Sequence, residues 1–259
     1  MASKASKTSR RLICMAGLAF PLVGLAGSQV WAADPAPVVE AIEFAGLNNL
    51  EEMALRRTLT LNTGEPFAAA EMEADRKALL ALGYFRSVSA AQRTQNGRTQ
   101  ITYRLAELPR VLHIRVSGNS VVERRAIQSV ISTRLGQVLC LPKLQEDVRA
   151  IEQLYRERGY VARLDDKPLD EATRTGILGF AVMEVRIEAV DLEGGSAKLR
   201  EQARQELQEV APDLYQPEAV SEDQQRLLRL KGVRSAVARV EPSGPGRVRI
   251  HWTLNPDKR

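Results

Sequence analysis

The stretch ALLALGYFRSV, residues 78–88, runs as an amphipathic helix up to Gly83 and then passes, with almost no loop, into the start of a strand. Glycine takes the left-handed backbone conformation that ends a helix without a Cβ clash, so Gly83 predicts a joint between helix and strand. The pattern returns in EQLYRERGYVARL, residues 152–164, and again, with its aromatics lost, in RLLRLKGVRSAV, residues 226–237. The three helix-ending glycines, Gly83, Gly159 and Gly232, lie 76 and 73 residues apart. A periodic chain is implied, and the period is that of a small folded unit.

Each joint is preceded by another glycine that closes a short apolar strand: Gly46 in IEFAG, Gly118 in IRVSG and Gly194 in VDLEG. Seven, four and two residues before these glycines stand Val39, Ile42 and Phe44, then Val111, Ile114 and Val116, then Ile187, Val190 and Leu192. The change of step from three to two predicts a kink in the strand, with its last apolar residues on the buried face. Gly64 and Gly136 add a third mark 72 residues apart, which the third copy lacks.

Each copy then reads strand, helix, helix, strand, strand. The first helix of copy two carries Ala126, Ile127, Val130 and Ile131 on one face, and Ser120-x-x-Glu123 ahead of it has the form of a capping box. Copy three has Leu199, Ala203, Leu207 and Val210. The second helices show Met72, Leu79 and Leu80, then Leu144, Val148, Ile151 and Tyr155, then Val220, Leu227 and Leu228. Asn96-Gly97 marks a tight hairpin, and the strand after it alternates Ile101, Tyr103, Leu105. Leu178, Phe180 and Val182, and Ile250, Trp252 and Leu254, alternate in the same way. One face of each sheet is therefore dry, and the two helices must pack there. DDKPLDEATRTG, residues 165–176, reads as a long polar connection in copy two. The expected architecture is α+β: three tandem β-α-α-β-β units, each a three-stranded mixed sheet with two helices on one face. Short joins such as ELPRV (107–111) and MEVRI (183–187) imply that neighbouring units lean on one another.

The first 32 residues stand apart from this frame. Lys4, Lys7, Arg10 and Arg11 precede an apolar run, Leu12 to Gly27, and Val30-Trp31-Ala32 offers a cleavage site. These are the parts of a secretory signal peptide, expected to be cut after Ala32. The leader holds four of the 37 basic residues and none of the 32 acidic ones, so the mature chain balances 33 against 32. The basic stripe that nucleic-acid binding requires does not survive that correction. The mature chain keeps only Cys140, so no intramolecular disulfide is expected, and this thiol is expected to behave as a small buried hydrophobe.

Strand-helix-helix-strand-strand at this length resembles the POTRA (polypeptide-transport-associated) domain, the periplasmic module of the outer-membrane β-barrel assembly and secretion family. The residues that carry the resemblance are Ile114-Arg-Val-Ser-Gly-Asn119, Leu82-Gly-Tyr-Phe85, Arg158-Gly-Tyr160, and LNTGEPF (61–67) with TRLGQVL (133–139). The implied domains are 33–108, 109–184 and a divergent third repeat, 185–259, after the signal peptide of 1–32. Tandem POTRA units usually precede a membrane barrel, yet the third copy ends near Leu254 and the aromatic girdles of a barrel are missing.

No nucleophile elbow, phosphate loop or dinucleotide fingerprint occurs. His113 and His251 sit among apolar residues on strands without metal-ligand spacing, and are expected on solvated faces. Asp165-Asp166 reads as a turn. No enzyme activity, cofactor, metal, small-molecule substrate or nucleic acid is expected. The resemblance implies that the last strand of each unit is central, which leaves the strand after the helix-ending glycine on an edge. Such an edge can accept an extended polypeptide through main-chain bonds. The expected binding edges are Ser87, Val88, Ser89, Ala90 and Ala91; Tyr160, Val161, Ala162 and Arg163; and Ala236, Val237 and Ala238. The expected structural joints are Gly46, Gly83, Gly118, Gly159 and Gly232. Proline at Ser89 or Ala91 is expected to weaken peptide binding. The implied partners are unfolded outer-membrane or secreted polypeptides, or a β-barrel protein, in the periplasm near the outer membrane. Two other readings stay open: a signal-anchored envelope scaffold of the cell-division kind, and a transporter remnant or fragment lacking its barrel.

Overall fold

The computed structural model describes residues 36–164 and 168–257. The expected signal peptide and Asp165-Asp166 lie outside them. The first repeat consists of β1 (Val38–Ala45), α1 (Glu52–Arg56), α2 (Ala69–Ala81), β2 (Phe85–Gln95) and β3 (Arg98–Glu107). The second has β4 (His113–Ser117), α3 (Arg124–Val130), α4 (Leu141–Glu157), β5 (Ala162–Leu164), α5 (Pro168–Thr175) and β6 (Ile177–Glu184). The third has β7 (Arg186–Glu193), α6 (Ala197–Glu206), α7 (Pro217–Arg229), β8 (Val233–Gly244) and β9 (Arg247–Pro256). The sheet orders are β1-β3-β2, β4-β6-β5 and β7-β9-β8, with the last strand central each time. It pairs parallel to the first strand and antiparallel to the second.

The alternating residues of the central strands fill three cores. Ile101, Tyr103 and Leu105, Leu178, Phe180 and Val182, and Ile250, Trp252 and Leu254 are all buried. The kink read from the apolar spacing is a one-residue bulge. The register shifts between Val39 and Ala41 and between Ile187 and Ala189. In the second repeat Leu112 and His113 both donate to the Gly176 carbonyl, at 2.8 and 3.4 Å. Asn96 and Gly97 turn the first hairpin with φ of 52° and 74°.

Four local expectations are corrected. Residues 168–175 form α5 rather than an open connection, because Leu169 and Ala172 share one helical face and pack on the core of the second repeat. Leu80 and Leu228 are 38% and 45% exposed, since their neighbours Leu79 and Leu227 take the fully buried line of the helix. Val210 is exposed because it lies beyond the end of α6. The capping box does not form: α3 begins after Glu123, whose side chain makes no capping bond. Ser120 instead donates its hydroxyl and its N–H to the carboxylate of Glu184, which also accepts from the N–H of Val121 at 3.0 Å. Glu107, two residues beyond Leu105 as Glu184 is beyond Val182, does the same work for the N–H groups of Asn48, Asn49 and Leu50. The third repeat has Pro256 there, and Ser196 caps α6 by accepting from Leu199.

A second set of carboxylates escaped the sequence reading. Asp75, Asp147 and Asp223 are buried on the second helices. Each accepts two consecutive N–H groups from the chain that leaves the first helix: Thr60 and Leu61, Ser132 and Thr133, Gln208 and Glu209. These groups would otherwise be buried donors without partners. All three aspartates stand 29 residues after the strand-closing glycine, a spacing that neither the glycines nor the apolar positions announce.

The five joint glycines all have positive φ, from 76° at Gly83 to 93° at Gly232. At Gly118 a Cβ would stand 2.1 Å from the carbonyl oxygen of Val182, so the first strand must leave the sheet directly over the central one. Gly83 is a joint in a second sense. A Cβ there would stand 2.2 Å from Cδ of Pro142, and its carbonyl accepts from the N–H of Leu141, at 2.9 Å. Cys140, half-buried, lies alongside with Sγ 3.7 Å from the carbonyl of Leu82. Helix α4 of the second repeat therefore starts against the end of α2 in the first, which is the contact the short joins implied.

Two outcomes follow for stability. Gly83→Ala and Gly159→Ala share the cost of a left-handed alanine, about 1–2 kcal/mol, but only at Gly83 would the added Cβ meet the neighbouring repeat, since nothing lies within 4 Å of it at Gly159. Urea unfolding is expected to show the larger loss for Gly83→Ala. At Glu184, burial pushes the carboxyl pKa up, but the hydrogen bonds from Ser120, Val121 and Tyr155 outweigh it and hold it below the ordinary value. A lowered folded pKa contributes stability above the unfolded value, and that stability is lost as pH falls through the folded one. Glu184→Gln is therefore expected to be less stable than the parent at neutral pH, with the gap closing below about pH 4 in a pH series of urea titrations.

Candidate functional site

The second strand of every sheet has a neighbour on one side only. Three edges result: β2, β5 and β8. In an antiparallel pair, alternate residues turn both backbone groups toward the partner and the rest turn them away. Arg76 Nη1 donates to the carbonyl of Val88 at 3.3 Å from the side opposite β3, so Val88 faces outward. The register from Ser87 to Gln95 is unbroken, and Ala90 and Gln92 therefore also point outward. Ser87, Ser89 and Ala91 spend their backbone groups on β3. This parity moves the informative proline from Ser89 and Ala91, where it would break the ladder, to Ala90.

Gln224 repeats the arrangement in the third repeat, donating from Nε2 to the carbonyl of Ala236 at 2.7 Å. Ala236 and Ala238 face outward there, and Val237 turns its backbone to β9 while its side chain is exposed. Arg76 and Gln224 each follow the buried aspartate of their helix by one residue. Each fills one edge carbonyl and leaves the edge beyond it open. Arg76 is itself held by Glu73, at 2.7 Å from Nε and 2.6 Å from Nη2. That hydrogen bond lowers the Glu73 pKa and raises that of Arg76.

The second repeat differs. Its edge strand has three residues, Ala162, Arg163 and Leu164, so Tyr160 and Val161 fall outside it. Tyr160 donates its N–H to Tyr155 at the end of α4, and Val161 accepts from Val185. Helix α5 packs against β6, whose residues 177–181 have no antiparallel partner among the described residues. The strand expected over 160–164 therefore starts two residues late, because the N–H of Tyr160 is still spent on the last turn of α4.

His113 is exposed on the solvent side, and His251 is half-buried with Nδ1 3.3 Å from Asp191 and Nε2 3.7 Å from Glu241. Among the described residues no helix is long and apolar enough to cross a membrane. Tyr84 and Phe85 serve packing, Phe85 in the core of the first repeat and Tyr84 half-buried against it.

Comparison with known proteins agrees with this geometry. The POTRA family, described as a surface antigen variable number repeat, matches residues 37–108 and 109–177. The outer membrane protein assembly factor BamA of Nitratidesulfovibrio vulgaris (strain Hildenborough) is 27% identical over 119 residues, which is 46% of this chain and 15% of that protein. This chain thus spans a small part of that relative's length. The N-terminal domain of Omp85 from Thermosynechococcus elongatus superposes with a TM-score of 0.72 at 20% identity, covering 88% of this chain and all of that one. POTRA1-3 of the periplasmic domain of Omp85 from Anabaena gives a TM-score of 0.69 at 16% identity, over 87% of this chain and 98% of that one. At these identities the two structures speak for the fold alone. The family match spans more than half of the residues, and with the three β-α-α-β-β sheets it places the chain among the POTRA-domain proteins.

Proposed function

We propose that this chain is an exported, non-catalytic POTRA-repeat protein that binds extended polypeptides along the open edges of β2 and β8. Its clients would be unfolded outer-membrane or secreted polypeptides, or a segment of a β-barrel assembly or secretion protein, met in the periplasm at the outer membrane. The repeats are taken as 33–108, 109–184 and 185–259, after a signal peptide of 1–32. The observation that carries this reading is the outward parity of Val88, Ala90 and Gln92 on an edge strand of eleven residues. An incoming strand can add to that ladder with little regard to its own sequence. Polar and small residues line this edge: Ser87, Ser89 and Ala91 are exposed on the solvent face. The relatedness to an outer membrane protein assembly factor supports the compartment and the class of client.

The test compares Ala90→Pro with Ser89→Pro. Ala90→Pro removes only an outward N–H and is expected to weaken binding of a fluorescent, unfolded barrel-strand peptide while leaving urea stability near the parent's. Ser89→Pro removes a ladder bond and is expected to lower stability, by about 1–3 kcal/mol. Unchanged peptide affinity in a folded Ala90→Pro chain would remove β2 from the proposal.

A further inference from the structure

The first strand of each sheet is also an edge, and its outward groups are treated differently in the three repeats. Near its start that edge is filled by the chain itself. Val111 donates to Gln137 and accepts from Gly136, at 2.8 and 2.7 Å, as Val39 does with Glu65 and Gly64 in the first repeat. Beyond the bulge the outward residues are Ile42 and Phe44 in β1, and Ile114 and Val116 in β4.

In β1 this remaining edge is closed. Arg56 donates from Nη2 to the carbonyl of Ile42 at 2.7 Å, is anchored by Glu52 at 2.9 Å from Nε, and lies 5.6 Å from the ring centre of Phe44. All three parts of that plug are replaced in the second repeat. Seventy-two residues on, Phe44 becomes Val116, Glu52 becomes Arg124 and Arg56 becomes Gln128. Among the described residues no side chain bonds the carbonyl of Ile114. In the place of the plug lies a groove of about 360 Å³, lined by His113, Ile114, Gln128, Ile131, Arg134 and Leu135. Leu135, one of its lining residues, is 61% exposed, among the most exposed large apolar side chains of the described residues.

We infer that the outer edge of β4 with this groove is a second polypeptide-docking site, one that takes an extended segment with apolar side chains at alternate positions and an acidic residue facing Arg134. The backbone of Ile114 and Val116 offers two donors and two acceptors in strand spacing, and only an extended chain matches such a row. The column of chain begun by Gly136–Val138 already pairs with this edge, and a docked strand continues it past Leu135. Alternate side chains of that strand then fall into the groove, over Ile131 and Leu135, and the others face solvent. The charged group among the lining residues is Arg134, and among the described residues no carboxylate lines the groove, so an acidic residue is the complementary neighbour. This site lies on the opposite edge of the sheet from β5 and does not depend on binding at β2.

The test is a fluorescence anisotropy titration of the chain with a blocked, labelled peptide that alternates valine and threonine and carries one glutamate. Gln128→Arg rebuilds the donor of the plug on an exposed helix position, where folding is not at stake. It is expected to weaken binding about tenfold, the equivalent of one or two main-chain hydrogen bonds. Leu135→Asp is expected to weaken it as well, and replacing the peptide's glutamate by lysine should do the same in the parent chain. If Gln128→Arg and Leu135→Asp both bind as the parent does, the β4 site is wrong. Ala90→Pro in the same titration reports on β2 separately, so each edge stands or falls alone. A concentration-dependent dimer in sedimentation that Gln128→Arg abolishes would assign the edge to a second copy of the chain and overturn the proposal.

Discussion

Each repeat is governed by one constraint: its first and last strands form the parallel pair. A parallel pair cannot be joined by a tight turn, so the connection must carry helices across a face of the sheet. The two helices do this, and they bury the apolar side of the central strand. The second strand, joined to the third by a short hairpin in the first and third repeats, is left outside. Three strands arranged in this way always expose two edges. A closed barrel or a larger sheet would hide them, but a unit of this size has neither the strands nor the core to do so.

Edges of this kind are hazards unless they are managed. The chain manages them from within, using side chains of the covering helices. Arg76 and Gln224 reach the second-strand edges, and Arg56 reaches the first-strand edge of the first repeat. These are positions where the helix surface meets the rim of the sheet, so one substitution opens or closes an edge without touching the core. The second repeat goes furthest, with β5 cut to three residues beside α5 and with β4 left without its plug. Three copies of one fold therefore present unequal edges.

Most of the fold could be read in the sequence because its signals are strictly local. A glycine at positive φ, an Asn-Gly hairpin and a strand of alternating apolar residues each announce themselves within a few positions. The carboxylates at Asp75, Asp147 and Asp223 were missed because a buried acid looks like a surface acid until its acceptor role is known. The capping box at Ser120 fails for a related reason. Its local partner, Glu123, lost to Glu184, which is distant in sequence and brought close only by the parallel pairing. The candidate edges were legible as strands but not in their parity. Whether Ser89 or Ala90 turns its backbone outward depends on the register with β3, and hairpin register is fixed by the turn and not by the edge residues themselves.

The same distinction separates what the fold demands from what is free to vary. The apolar positions, the strand-closing glycines and the buried aspartates recur in all three repeats because the fold demands each: the first fill the cores, the second leave room for a carbonyl of the central strand, and the third accept N–H groups that would otherwise be buried without a partner. The plugs recur only in part: Arg76 becomes Val148 and then Gln224, while Arg56 becomes Gln128 and then Arg204, which pairs with Glu201 instead. A position whose loss merely exposes a backbone group to water costs little stability, because water takes over the hydrogen bond. The rim of the sheet is thus the part of the repeat that can change its chemistry at small cost, and it is the part where an extended chain would dock.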